Sequence, residues 1–202
     1  GLMNGLARAG FGPLFGHDHA RRKVEALGYQ DSHVQWVETP QELTTVCDLV
    51  IVAVKPYQMA SMLDQLRPYA GPGKIVVSLA AGFTLKSMKE HIACPCIRVM
   101  PNLPVVVGKG VFALCFDDPA LTPESRADLL RMFSAVGMAT VLPEKQFSAF
   151  SSLVGCGPAF IYLFMEGMLN AGISMGFKAG EASKLIAAMV EGSAKLALSE
   201  GV

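Results

Sequence analysis

The residues best suited to chemistry in this sequence stand where its apolar runs stop. Ligands of open α/β sheets bind beyond the carboxyl ends of the strands, so these stops mark an expected site. The run LVIVAV (49–54) ends at Lys55-Pro56. A proline halts strand pairing and suits the first turn of a helix, which sets Ala53, Val54, Lys55 and Pro56 over the sheet edge where a dinucleotide would lie. The next run, KIVVSLA (74–80), leads into Ala80, Ala81 and Gly82. These have almost no side chain, so a flat ring can approach the backbone closely. In RVMPNLP (98–104), Pro101 and Pro104 stiffen the turn and Asn102 offers both a donor and an acceptor. Each stop alone also fits an ordinary turn. Three in succession favour one cofactor site.

Two further stretches carry polar chemistry. PLFGHD (13–18) ends in Asp18. A carboxylate there either accepts hydrogen bonds from the adenosine ribose hydroxyls or caps the helix that follows at once, and both readings stand. Arg21, Arg22 and Lys23 come next, either as a solvated helix face or as partners for a ribose 2′-phosphate. LVGCGPAF (153–160) brackets Cys156 with Gly155 and Gly157, and Pro158 starts a helix. The free backbone N–H groups at such a helix start suit a substrate carboxylate, although a tight turn between helices uses the same residues. His17, His19, His33 and His91 lack ligand-like spacing, so no metal is expected. No G-x-S-x-G elbow or Ser/His/Asp arrangement stands out, and no catalytic side chain is identified. The five cysteines lack C-x-x-C spacing and read mainly as buried free thiols of a reducing compartment.

These stops need a scaffold. The first two thirds alternate strand-like and helix-like pieces: strands at 13–18, 33–38, 49–54, 74–80, 96–100, 111–116 and 138–142, with helices at 19–28, 40–47, 56–71, 84–92 and 123–137. Such alternation implies a mostly parallel, doubly wound sheet with helices on both faces. After Pro143 strands cease, and helical runs follow at about 158–175 and 179–199. The fold class expected is therefore α/β followed by an all-helical region, divided as residues 1–146 and 147–202. Residues 157–176 are strongly apolar but are interrupted by Glu166 and Asn170, short of the ~20 apolar residues of a membrane span, so a buried helix and no membrane crossing are expected. GLMNGLARAGFGP opens inside a helix and LALSEGV closes near the end of one. A first strand with its G-x-G-x-x-G phosphate loop is expected before Gly1.

At 202 residues, one large domain or two small ones are possible, burying roughly 70% of the unfolded surface without staples. The charge balance, 17 basic against 17 acidic residues, argues against a general nucleic-acid binder. A mean hydropathy of +0.40 leaves much of the chain for core or subunit interface.

AVKP (53–56), SLAAG (78–82), RVMPNLP (98–104), SAVG (134–137) and GCGPAF (155–160), in that order and rough spacing over nearly the whole chain, resemble the pyrroline-5-carboxylate reductase family. The resemblance implies a Rossmann domain followed by a helical dimerisation domain. It implies reduction of 1-pyrroline-5-carboxylate to L-proline by NADPH or NADH, in a cytoplasmic homodimer or higher homo-oligomer. By that likeness Asp18, Val54, Lys55 and Ala81 line the cofactor, while the GCGPAF turn and the helices after it build the dimer. Leu103, Ser148 and Val154 depart from the threonine, aspartate and serine usual in the family. The family's Pro-Gly-Gly-Thr-like substrate segment is expected beyond Val202. Two alternatives remain open: a related reductase of another imine or keto acid, and a non-catalytic dinucleotide-binding homologue.

Overall fold

Nearly unbroken apolar runs make β-strands of this chain such as LVIV (49–52) and IVVS (75–78), and threonine caps start three of its helices. The computed structural model describes residues 1–30 and 34–201, with the side chains of 26–30 left aside. His33 lies outside the described residues. The chain divides into two units, Gly1–Gly155 and Cys156–Val202.

In the first unit, helix α1 (Leu2–Arg8) precedes strand β1 (Leu14–Gly16), α2 (Arg21–Gln30), β2 (Val34–Trp36), α3 (Pro40–Val46) and β3 (Leu49–Val52). A 3-10 turn (Pro56–Gln58) leads into α4 (Met59–Leu66), followed by β4 (Ile75–Ser78), α5 (Leu85–His91) and β5 (Cys96–Pro101). Then come a 3-10 segment (Leu103–Val107), β6 (Gly110–Cys115), α6 (Pro123–Ser134) and β7 (Gly137–Val141). A 3-10 turn (Glu144–Gln146), α7 (Phe147–Phe150) and a π-helical stretch (Ser151–Gly155) end the unit.

The strands form a parallel pair, β1-β2, and a five-stranded sheet in the order β3-β4-β5-β6-β7. Every neighbouring pair is parallel except β5 with β6, where Arg98 faces Cys115 and Pro101 faces Phe112. Alternate residues feed two cores. Cys96 and Met100 of β5 pack with Met59 and Leu63 of α4, Met88 of α5 and Phe147 of α7. Ile97 and Val99 pack with Leu6 of α1 and with Leu129 and Phe133 of α6 on the other face. This is the doubly wound arrangement that the alternation implies.

β3 stops at Val52, two residues short of the 49–54 expected, and the residues most deeply covered belong to β4, β5 and β6. Thr39, Thr84 and Thr122 each accept a hydrogen bond from the backbone N–H three residues on, and so cap α3, α5 and α6. Gly137 has a steric reason: a Cβ there would lie 2.1 Å from the carbonyl oxygen of Gly110, across the start of the β6/β7 ladder.

The second unit holds α8 (Gly157–Ser174) and α9 (Ala179–Glu200). Gly172 brings the two close, since a Cβ at that position would touch the Ala182 Cβ at 3.4 Å. The expectation of a buried helix over 157–176 is corrected here. Phe160, Leu163 and Phe164 of α8 are 63%, 67% and 58% exposed. Apolar content marks a surface that seeks cover, and α9 does not supply it for these three side chains. The helical stretch Glu144–Ser174 is long and apolar enough to cross a membrane by length and composition. Of the cysteines, Cys94, Cys96 and Cys115 are buried, Cys47 is half-buried and Cys156 is exposed, all as free thiols.

Candidate cofactor site

A cavity of about 210 Å3 separates β1 from β3; His17, Asp18 and His19 line its end beyond β1, Ala53 and Val54 its end beyond β3, and Val50 to Val52 run along it with Leu43 and Met62. Asp18 uses one oxygen locally: its Oδ1 accepts from Ala20 N at 2.8 Å and lies 3.5 Å from Lys23 Nζ. The Ala20 N–H, and after it the Lys23 charge, hold this carboxyl below its ordinary value. No described residue donates to Oδ2. Beside it, the His17 ring lies 5.3 Å from that of Trp36, and its Nδ1 is 3.2 Å from Val37 O. Asp18, His17 and His19 make the polar end of this cavity, and Leu43, Val54 and Met62 are among its apolar lining.

A second cavity, of about 660 Å3, opens beside the turn after β4, where Ala81 and Gly82 meet Thr84, Met100, Ser148 and Ser151. Gly82 adopts φ +75°, a left-handed conformation that side chains disfavour, and a Cβ there would meet nothing within 4 Å. The turn therefore leaves room for a planar ring against backbone.

One wall of this cavity is an ion pair that the sequence reading missed. Arg98, 5% exposed, projects from β5 and donates from Nη1 to Glu144 Oε1 at 2.9 Å. The same Glu144 oxygen accepts from Leu85 N, at the head of α5, at 2.7 Å. The Arg98 guanidinium also lies 4.9 Å from the centre of the Phe147 ring, while its buried Nε has no partner among the described residues. Glu144 thus ties β5, α5 and the turn before α7 together around the cavity. A cation inside the apolar run CIRVM was the available signal, because a buried charge needs a partner.

The residues singled out from the sequence are distributed as follows. Asp18, Ala53 and Val54 meet at the first cavity, and Ala81 and Gly82 at the second. Lys55 and Pro56 are exposed on the turn just beyond β3, and Lys55 N donates to Gln58 Oε1. Ala80 is buried in the first core. Asn102 lines neither cavity; its Oδ1 accepts from Val111 N at 2.8 Å and its Nδ2 donates to Val154 O at 3.3 Å, which pins the loop after β5. Gly155 closes the first unit, and Cys156 and Gly157 open the second, with Cys156 at the N-cap of α8. No group of three His, Cys, Asp or Glu able to hold a metal occurs among the described residues.

Comparison with known proteins finds relatives for both parts of the chain. Residues 144–201 match a family model described as pyrroline-5-carboxylate reductase dimerisation, and residues 1–82 match one described as NADP oxidoreductase, coenzyme F420-dependent. The pyrroline-5-carboxylate reductase of Escherichia coli K12 is 31% identical over 205 residues, covering 99% of this chain and 76% of that protein. That of Aquifex aeolicus is 36% identical over 151 residues, covering 74% and 56%. Among solved structures, the Coxiella burnetii pyrroline-5-carboxylate reductase superposes with a TM-score of 0.88 at 25% identity, covering 98% of this chain and 75% of that one. The Plasmodium falciparum pyrroline carboxylate reductase, solved with NADP bound, superposes with a TM-score of 0.84 at 25% identity, covering 97% and 73%.

Proposed function

This chain belongs to the pyrroline-5-carboxylate reductase family, and on that premise we infer that the protein reduces 1-pyrroline-5-carboxylate to L-proline with NADPH or NADH. The observation that carries this reading is the relation to the Escherichia coli enzyme along almost the whole chain, joined to an α/β unit with cavities at its strand ends. A reduced nicotinamide supplies the hydride. The chain's own residues are left with orientation and exclusion of water. Well-oriented intramolecular reactions lower a barrier by roughly 7–11 kcal/mol, and a cyclic imine protonates readily, so no strong protein acid is required.

In this reading Asp18 Oδ2 accepts from ribose hydroxyls, with Ala53 and Val54 walling that cavity. Ala81 and Gly82 present bare backbone to the nicotinamide ring. Lys55 and Pro56 form the rim, and Ala80 and Asn102 hold the flanking turns in shape; Gly155, Cys156 and Gly157 lie inside the helical stretch Glu144–Ser174, which corrects the expectation of a free helix start there, and they are given no part in binding the substrate carboxylate. Arg98 and Glu144 are positioning residues. The functional division at 146/147 is supported by a dimerisation match that begins at residue 144. The reading includes a homodimer built by α8 and α9, whose exposed apolar residues face a second subunit in place of a membrane. It also includes a cytoplasmic location and, given balanced charge, no nucleic-acid partner.

The test is a substrate panel on the complete protein with both dinucleotides. Pyrroline-5-carboxylate is expected to be consumed at least about a hundredfold more efficiently than a linear keto acid, since a site built to recognise polar groups rejects analogues lacking them. Equal or better use of a keto acid would replace this reading with that of a related reductase.

A further inference from the structure

We propose that Cys94 and Cys96 form a redox-active dithiol, which a low-molecular-weight disulfide oxidises to an internal Cys94–Cys96 disulfide, with Cys94 attacking and Cys96 resolving. The inference does not rest on the assigned reaction. Both residues line neither cavity and take no part in the hydride transfer.

Three observations support it. The two thiols are in hydrogen-bond contact with each other, and Cys96 Sγ also donates to Cys94 O at 3.2 Å. Both side chains pack into the same core. With only Pro95 between them, no distant part of the chain has to move before the sulfurs close to the roughly 2.0 Å of a disulfide. Next, the two thiols differ in character. The Cys96 S–H, and after it the Lys89 ammonium, hold the Cys94 thiol below its ordinary value against the opposing effect of burial. The same contact, and after it burial, push Cys96 up. Burial also pushes up Cys47, and Cys115 to about 11. The thiolate is the attacking species, so Cys94 is the best nucleophile of these four.

Finally, the nearby cation is fixed in place. Lys89 Nζ donates to Ala93 O at 3.1 Å, to Cys94 O at 3.0 Å and to Asp118 Oδ2 at 3.1 Å. The same Asp118 oxygen accepts from Cys96 N at 2.9 Å, so one ion pair anchors the backbone on both sides of Pro95.

The exchange balances in two steps. The Cys94 thiolate attacks one sulfur of the reagent, forms a mixed disulfide and expels one thiolate. Cys96 gives up its proton, attacks the Cys94 sulfur and expels the second thiolate. The cysteines lose two protons and two electrons, and the reagent gains both as two thiols. Cys94 is 4% exposed and Cys96 is fully buried, so the reagent enters by local opening of the join between α5 and β5.

The test is incubation of the complete protein with oxidised glutathione, followed by non-reducing peptide mapping with mass spectrometry. The expected product is a Cys94–Cys96 disulfide, lighter than the dithiol by two hydrogens and restored by dithiothreitol. In Cys96→Ser, whose hydroxyl still reaches Cys94 O, the reaction is expected to stop at a glutathione adduct on Cys94. In Cys94→Ser, modification of Cys96 is expected to slow by at least about tenfold. The natural protein decides the pairing without either variant. Modification confined to the exposed Cys156, or a cross-link between Cys96 and Cys115, would overturn the proposal. An adduct on Cys96 that forms as fast in Cys94→Ser as the disulfide does in the natural protein would overturn it too.

Discussion

At the residue scale, Arg98 and Glu144 join parts of the site that neighbours in sequence could not. Removing one partner of a buried ion pair strands the other charge and costs about 3–5 kcal/mol. Arg98→Met leaves Glu144 with Leu85 N and partial solvent, whereas Glu144→Gln keeps an acceptor for Leu85 N but leaves Arg98 without its counter-charge. Both variants are expected to lose stability in urea unfolding, Glu144→Gln by the larger amount because Arg98 is the more buried partner. An equal or smaller loss for Glu144→Gln would mean that the Phe147 ring and surrounding waters carry Arg98. This pair was only half legible in the sequence. The cation within CIRVM signalled a partner, but the partner stands 46 positions away, beyond any spacing rule. Asp18, Ala53, Val54, Ala81 and Gly82 were legible because strand ends and small residues are local features.

At the element scale, Asp118 organises the join between α5 and β5. Its Oδ2 accepts from Cys96 N at 2.9 Å and Lys89 Nζ at 3.1 Å, and its Oδ1 from Ala120 N at 2.9 Å. Burial pushes this carboxyl up, but the two backbone N–H groups and Lys89 outweigh it, and the net shift is downward. A carboxyl lowered in the folded state stabilises the fold above its ordinary value near 3.8 and loses that contribution as pH falls through the folded value. Asp118→Asn is therefore expected to destabilise the protein by about 1–3 kcal/mol at neutral pH, with the gap to the natural protein closing in acid. A gap in melting temperature that persists unchanged at low pH would show that the loss is one of shape alone.

The order of elements was readable from alternation, capping threonines and prolines. The antiparallel pairing of β5 and β6 was not drawn from the sequence, although the connection from Pro101 to Gly110 is shorter than the dozen or more residues a parallel crossover needs.

At the scale of the whole molecule, α8 carries the largest discrepancy between apolar sequence and burial. Phe160, Leu163 and Phe164 stand exposed in the single chain, and each such side chain gains about 1.5–3 kcal/mol on full burial. Sequence alone cannot separate a helix buried inside a subunit from one buried between subunits, because both are apolar all round. Leu163→Glu, at a position 67% exposed, is expected to leave the fold of one chain intact and to convert a sedimenting dimer into monomer at micromolar concentration. Sedimentation of the natural complete protein as a monomer would contradict the interface.

The central claim is that the protein delivers a hydride to the imine carbon of pyrroline-5-carboxylate. The direct measurement is mass spectrometry and NMR of the product formed by the complete protein from the imine and a reduced dinucleotide carrying deuterium at both C4 positions of its nicotinamide. The account requires L-proline carrying a single deuterium at C5. Unlabelled proline, or no proline while the dinucleotide is oxidised by another substrate, would contradict it.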